Sequence, residues 1–210
     1  MKGRPLRGRA EPIPASGEYS SQKLIRANPE TLTFDIFEHD AEHAYAVYKS
    51  VAIYMWRGAM QDHHPAQARD RWAQLRDTVG TFGVLVVILP SAPPPPQRLR
   101  NAVTQAYHTF ARSIRGVGTV LEEQGVRGAA AAMAMTAIML MSKPPYAYRN
   151  DTNVEATATW LATMLPEEID GATITRAVQQ LRSRYTVACE SYYSEPLNKP
   201  YGAWRSLRPR

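Results

Sequence analysis

Apolar and polar positions along this chain repeat with two alternating periods, and their order predicts the architecture. From Thr31 to Glu38, Leu32, Phe34 and Ile36 alternate with Thr33, Asp35 and Phe37, the period-two pattern of a half-buried strand. Ala44 to Trp56 is rich in Tyr, Val and Ile and extended in character. It ends at Arg57-Gly58, where glycine permits a sharp exit, so a β-hairpin is expected here. After Pro65, residues Ala68, Trp72, Leu75 and Val79 recur at spacings of four, three and four, which places them on one face of a helix that Gly80 ends. Gly83 to Leu89 is a continuous branched apolar run, the signature of a strand buried on both faces, and it stops at Pro90.

Four prolines, Pro93 to Pro96, stiffen the next loop and supply the start of a helix whose first turn has no need of its amide hydrogens. Its stripe is Leu99, Val103, Ala106, Phe110 and Ile114, and Val117 to Leu121 then reads as a short strand. Gly128 to Met141 is apolar nearly all round and is expected to be the most buried helix. Tyr146 to Tyr148 suits another strand, and Thr152-x-x-Glu155 is a capping box introducing the stripe Val154, Ala158, Leu161 and Leu165. A last helix carries Ile174, Val178, Leu181 and Tyr185. The order β-β-α-β-α-β-α-β-α plus one helix predicts an α/β fold. Its sheet is mixed and mostly parallel, of about five strands with packing helices, because each helix must carry the chain back across the sheet.

Outside this alternation the composition changes. Residues 1–29 are rich in Arg, Pro, Gly and Ser without apolar period and read as a basic arm, 30–188 as a single α/β domain, and 189–210 as a basic aromatic tail. The net charge of +6 is concentrated at the ends. Lys2, Arg4, Arg7 and Arg9 lie at one, Lys199, Arg205, Arg208 and Arg210 at the other, which leaves 17 basic against 19 acidic residues between them. A nucleic-acid-binding domain carries its basic patch on a folded surface that positions phosphates, and here only the tails qualify. Tyr192, Tyr193, Tyr201 and Trp204 beside Arg205 add the residue types favoured at interface cores, so the tails are expected either to contact neighbouring subunits, another protein or nucleic acid, or to fold on their own core.

Cys189 is the single cysteine, so no intramolecular disulfide forms and a reducing cytoplasm suits the chain. Prolines follow the basic N-terminus where a secretory signal needs an apolar stretch, and the run Ala129 to Met141 is shorter than the roughly 20 residues that span a bilayer. A cytoplasmic protein without a membrane span is expected.

The arrangement of Val51 to Gly58 before a helix, the buried strand Val84 to Leu89 and a late capped helix containing Trp160-Leu161 resembles the STAS group. These are the anti-sigma-factor-antagonist-like domains and their bacterial SpoIIAA-like relatives, and the resemblance covers roughly residues 31–165. It implies a mixed sheet with helices packed on it and a role in regulated protein–protein contact without catalysis. The family's phosphorylated hydroxyl follows a central strand in an Asp-Ser or Asp-Thr context. Ser91 occupies the nearest comparable position, within Pro90-Ser91-Ala92-Pro93, which lacks both the acid and the following glycine.

Other chemistry is sparse. His63-His64 beside Asp62, and His39 and His43 among Glu38, Asp40 and Glu42, are the clusters that suggest a metal, and the two His pairs would have to meet across the hairpin. Both lie in polar stretches and are expected to be solvated turns, with no metal bound. Gly125-Val126-Arg127-Gly128 matches a G-x-x-G backbone clamp or, at a helix N-terminus, an anion or ligand contact through Gly125, Arg127 and Gly128. The competing reading is a tight strand-to-helix turn beside Glu122 and Glu123. The chain has no Walker P-loop, G-x-G-x-x-G, G-x-S-x-G or H-E-x-x-H, so neither a cofactor nor catalysis is expected. The resulting expectation is a non-enzymatic interaction or assembly protein. Binding of nucleic acid or an acidic partner through the tails is one alternative, and a small-ligand-binding regulatory domain with its pocket at the strand C-termini is another.

Overall fold

Lys49 and Ser50 divide the long extended segment into two strands, with Lys49 taking φ 50°, the left-handed conformation that lets the chain reverse in two residues. The hairpin arms are β2 (His43–Tyr48) and β3 (Val51–Trp56), and β1 (Ile36–His39) pairs antiparallel with β2. The region expected to give two strands therefore contains three. The first begins at Ile36, with Phe34 buried ahead of it. The computed structural model describes residues 32–90, 92–122, 125–142, 144–166 and 169–194.

Beyond the hairpin the chain alternates as α1 (His64–Val79), β4 (Phe82–Ile88), α2 (Gln97–Thr109), β5 (Ile114–Leu121), α3 (Gly125–Ser142) and β6 (Ala147–Asp151). Among the described residues the sheet has six strands in the order β1-β2-β3-β4-β5-β6, antiparallel from β1 to β3 and parallel from β3 to β6. Each crossover steps one strand in the same direction, so crossovers of one hand place α1, α2 and α3 on one face. The other face is covered by α4 (Val154–Ala162) and α5 (Gly171–Ser194).

Local signals account for the helix ends. Gly80, at φ 76°, stops α1 and donates its amide to the Arg76 carbonyl at 2.7 Å. Helix α2 stops at Thr109, earlier than its apolar stripe predicts. The turn after it brings the Ile114 amide to the Phe110 carbonyl at 3.0 Å, so Ile114 stays in register with the stripe while opening β5. Asn153, and not Thr152, caps α4, its Oδ1 accepting from the Ala156 amide at 3.0 Å. Thr152 is held outside the helix because its own amide donates to Asp151 Oδ1 at 2.7 Å.

Two helices depart from expectation in burial. Helix α3 begins three residues earlier than Gly128 and leaves Met133, Leu140 and Met141 exposed, at 68%, 67% and 42%. It is therefore not the most buried helix, because α2 and β5 cover only part of its circumference. Helix α5 runs past the boundary expected at residue 188 to Ser194, with Cys189 packed in the core beside Tyr185.

The two faces of the sheet are packed differently. Under α4 and α5 the core is aliphatic: Ile53, Leu85, Val87 and Val120 meet Leu161, Ile174, Val178 and Leu181. Glycines let α4 approach closely, since a Cβ on Gly118 would stand 2.4 Å from Thr157 Cγ2 and one on Gly83 3.1 Å from Leu161 Cδ1. Under α1–α3 the core is aromatic, with Trp72 at its centre against Tyr54, Phe82, Tyr107 and Phe110.

Candidate functional site

The turn between β1 and β2 is built around Asp40. Its Oδ1 accepts from the amides of Glu42 and His43, both at 2.8 Å, and its own amide donates to the His43 carbonyl at 2.9 Å. Arg57 and Gly58, at the end of β3, donate their amides to the Glu42 carbonyl at 2.8 and 3.0 Å. From the opposite face of the sheet, Tyr185 of α5 donates its hydroxyl to the Ala41 carbonyl at 3.1 Å. Held on three sides, the turn presents Asp40 Oδ2 to the start of α1.

Three histidines gather at that oxygen. His64 Nδ1 accepts from the Gln61 amide at 2.8 Å, which leaves the ring proton on Nε2, and Nε2 lies 2.8 Å from Asp40 Oδ2 and donates to it. His43 Nδ1 is 3.0 Å from the same oxygen but out of hydrogen-bond alignment, and it has no other hydrogen-bond partner. His63 Nε2 stands 3.8 Å away at the solvent rim. Ring stacking fixes the group, with His43 4.8 Å from Trp56 and 4.2 Å from His64 between centroids. His43 is 8% exposed and His64 3%, which overturns their reading as solvated turn residues: the β1–β2 turn folds back over the N-terminus of α1 and covers them.

The electrostatics follow from this geometry. Burial alone would raise the Asp40 carboxyl, but the adjoining His43 ring together with the hydrogen bonds from His64 and the Glu42 amide outweighs it and holds the group well below the usual carboxylate range. At His39 burial dominates and lowers the imidazole, with Asp40 acting against it. Asp40, His43 and His64 each offer one ligand atom within 4.8 Å of the others, so these are the described residues able to hold a metal ion.

His64 also forms one wall of a cavity of about 80 Å³ between the sheet and α1–α3. Tyr54, Trp56, Val86 and Ile88, from the C-terminal halves of β3 and β4, form its floor. Trp72, Tyr107 and Met135, one from each of the three helices, close it above, and Pro93 to Pro95 border it. The lining is mostly apolar, and two of its residues, Tyr54 and Trp72, keep a buried polar atom (Oη and Nε1) without a hydrogen-bond partner. The two atoms approach one another, but not in hydrogen-bond geometry. Burial pushes the Tyr54 and Tyr107 hydroxyls far above the usual phenol range, so both keep their protons.

Among the described residues singled out in the sequence, His43, His63, His64 and Asp40 converge. Ser91 lies outside the described residues, as do Arg4, Arg7, Arg9, Tyr201, Trp204, Arg205 and Arg208. Tyr192 and Tyr193 are in the last turns of α5, and Gly125, Arg127 and Gly128 are in the first turn of α3, but their side chains lie outside the described residues. The cavity meets α3 at Met135 and Ile138, well along the helix from that turn. Sequence reasoning offered a pocket at the strand C-termini near Ser91, Gly125 and Arg127 but named none of the residues that line the cavity, whose members come from five elements, and it placed Asp40 only as a neighbour of the histidines. The readable sign was Asp40-x-x-His43 at a strand turn, a spacing at which an aspartate caps local amides. No helix among the described residues is long and apolar enough to cross a membrane. No family model, curated protein or solved structure matches the chain.

Proposed function

We infer that this is a small-ligand-binding regulatory domain whose cavity takes a flat, mostly apolar molecule of one or two rings carrying a hydrogen-bonding substituent. The observation that carries the reading is the cavity at the C-terminal ends of β3 and β4, two of whose lining residues, Tyr54 and Trp72, hold a buried polar atom (Oη and Nε1) without a hydrogen-bond partner just behind the wall. An unpaired buried polar group costs about 1–3 kcal/mol, so a ligand that pairs these atoms gains stabilisation already missing from the free protein. Open α/β sheets bind ligands outside the carboxyl ends of their strands, and ligand sites are apolar with a few convergent polar groups. The volume, well below the roughly 300–1,000 Å³ of drug-sized pockets, sets the ligand's size.

The test uses indole and phenol as probes, with binding followed by ligand-observed NMR and calorimetry. Saturable 1:1 binding is expected. Filling the cavity by Ala106→Leu or Ala68→Leu should weaken it by at least about tenfold, the loss of a ring's burial being worth more than 1.4 kcal/mol. Absence of binding to the folded wild-type chain rejects the reading.

A second reading, regulated contact with a protein partner as in STAS-like domains, is supported by the exposed apolar residues Met133, Leu140 and Met141 of α3. Light scattering on the wild type and on Leu140→Glu tests self-association through this surface. A monomer at all concentrations removes the self-association form.

A further inference from the structure

We propose that Asp40, His43 and His64 form a binding site for a divalent transition-metal ion of the zinc type, independent of the cavity's ligand. The ligand atoms come from two segments, the β1–β2 turn and the start of α1, as metal sites that clip a fold together do. In a tetrahedral zinc site with bonds of about 2.0–2.1 Å, neighbouring ligand atoms are roughly 3.3 Å apart. The separations of His64 Nε2 and His43 Nδ1 from Asp40 Oδ2, 2.8 and 3.0 Å, are close to that spacing. These two separations need to open by a few tenths of an ångström for an ion to enter, and all three ligand atoms lie within 4.8 Å of one another.

The independent sign of a ligand is His43. Its Nδ1 is buried, faces the carboxylate and makes no hydrogen bond, and a group left in that state is costly unless something else bonds it. Two imidazoles and one carboxylate select zinc and its late first-row neighbours over magnesium or calcium, which take oxygen sets. Asp40 is 31% exposed and His63 47% exposed at the rim, so an ion has a way in, while His43 and His64 form a dry back wall. Three protein ligands leave at least one position of a tetrahedral ion for water or a further group.

Binding has one identifiable cost. His64 carries its proton on Nε2 because the Gln61 amide occupies Nδ1. To coordinate through Nε2 the neutral ring must move that proton to Nδ1 by way of water, with no net gain or loss. The Gln61 amide then loses its acceptor and turns to solvent, which is feasible because Gln61 is exposed. Metal binding is thus expected to leave a mark at an amide that itself touches no metal.

The experiment is titration of the full, metal-stripped chain with zinc sulfate, read by calorimetry, thermal melting and 15N NMR, with cobalt(II) absorption to report tetrahedral coordination. One equivalent should bind, raise the melting temperature and shift the His43 and His64 ring nitrogens together with the Gln61 amide. Affinity should fall at least tenfold in Asp40→Asn and His43→Ala, remain unchanged in His108→Gln, and magnesium should not compete. If either buried-site variant fails to fold, the wild-type NMR decides. Shifts confined to other histidines or to Cys189, or no zinc uptake by the folded chain, overturn the proposal.

Discussion

The two faces of the sheet are made from the same strands and yet end differently. Under α4 and α5, glycines at 83, 116 and 118 face Leu161, Met164 and Thr157, and aliphatic side chains interdigitate closely. Under α1–α3, large aromatic rings meet at centroid distances of 4.7–6.5 Å, the hydroxyl or indole groups of Tyr45, Tyr54 and Trp72 are buried without a hydrogen-bond partner, and a cavity remains. Branched aliphatics and glycine fill a narrow interface because they adapt in small increments of volume. Rigid rings bury more area each but leave gaps at their corners. The lesson is that the closed face holds the fold, and the aromatic face has room for function.

The contrast is broken most directly by Leu161→Ala, which removes a wholly buried side chain from the closed face. It should cost about 4 kcal/mol in chemical denaturation, near the upper part of the range for core truncations. Next is Gly118→Val, whose Cβ enters the space of Thr157 Cγ2. Overpacking there should cost about 3 kcal/mol and lower the melting temperature. The matched change on the aromatic face, Val86→Ala, trims a cavity wall that already lacks partners on one side, and should cost only about 1 kcal/mol. A gain instead of a loss is expected from Tyr54→Phe, which deletes an orphaned hydroxyl. Stability should rise by about 1 kcal/mol, the low end of the cost of an unpaired buried group, while affinity for phenol in the cavity falls.

Between the faces, the Asp40 turn gives the molecule an acid limb. The folded-state carboxyl titrates below its ordinary value of 3.8, so its contribution is fully present above that pH and is lost as pH falls toward the depressed value. Asp40→Asn should therefore be less stable than wild type at pH 6, and the gap should narrow as the pH is taken from 4 toward 2. A gap that stays constant over that interval would show that the carboxylate's charge contributes nothing to the turn.

Much of the frame was legible in the chain. The branched run at 83–89 could only be a central strand, and the spacings of Trp72 and Leu75 or of Leu161 and Ala158 could only be helix faces, because period reports which side chains share a side. Period fails where the chain turns without losing phase. Ile114 continues the α2 stripe although it belongs to β5, and nothing local separates a fourth helical turn from a tight turn after the third. The hairpin needed Lys49 in a left-handed conformation, which a lysine does not announce. Helix α3 shows the opposite failure: uniform apolarity promised full cover, but the number of neighbours is a property of topology.

By itself the sequence determined the order of helices and strands, the parallel run of the sheet and the absence of familiar catalytic motifs, because these depend on residue types and spacings within about 20 positions. Only the tertiary structure decided that Asp40 meets His64 across 24 residues, and that Tyr54, Trp72 and Tyr107 enclose one space. Site geometry depends on how separate elements pack, and packing is set by the sum of many weak contacts that no single stretch of chain encodes.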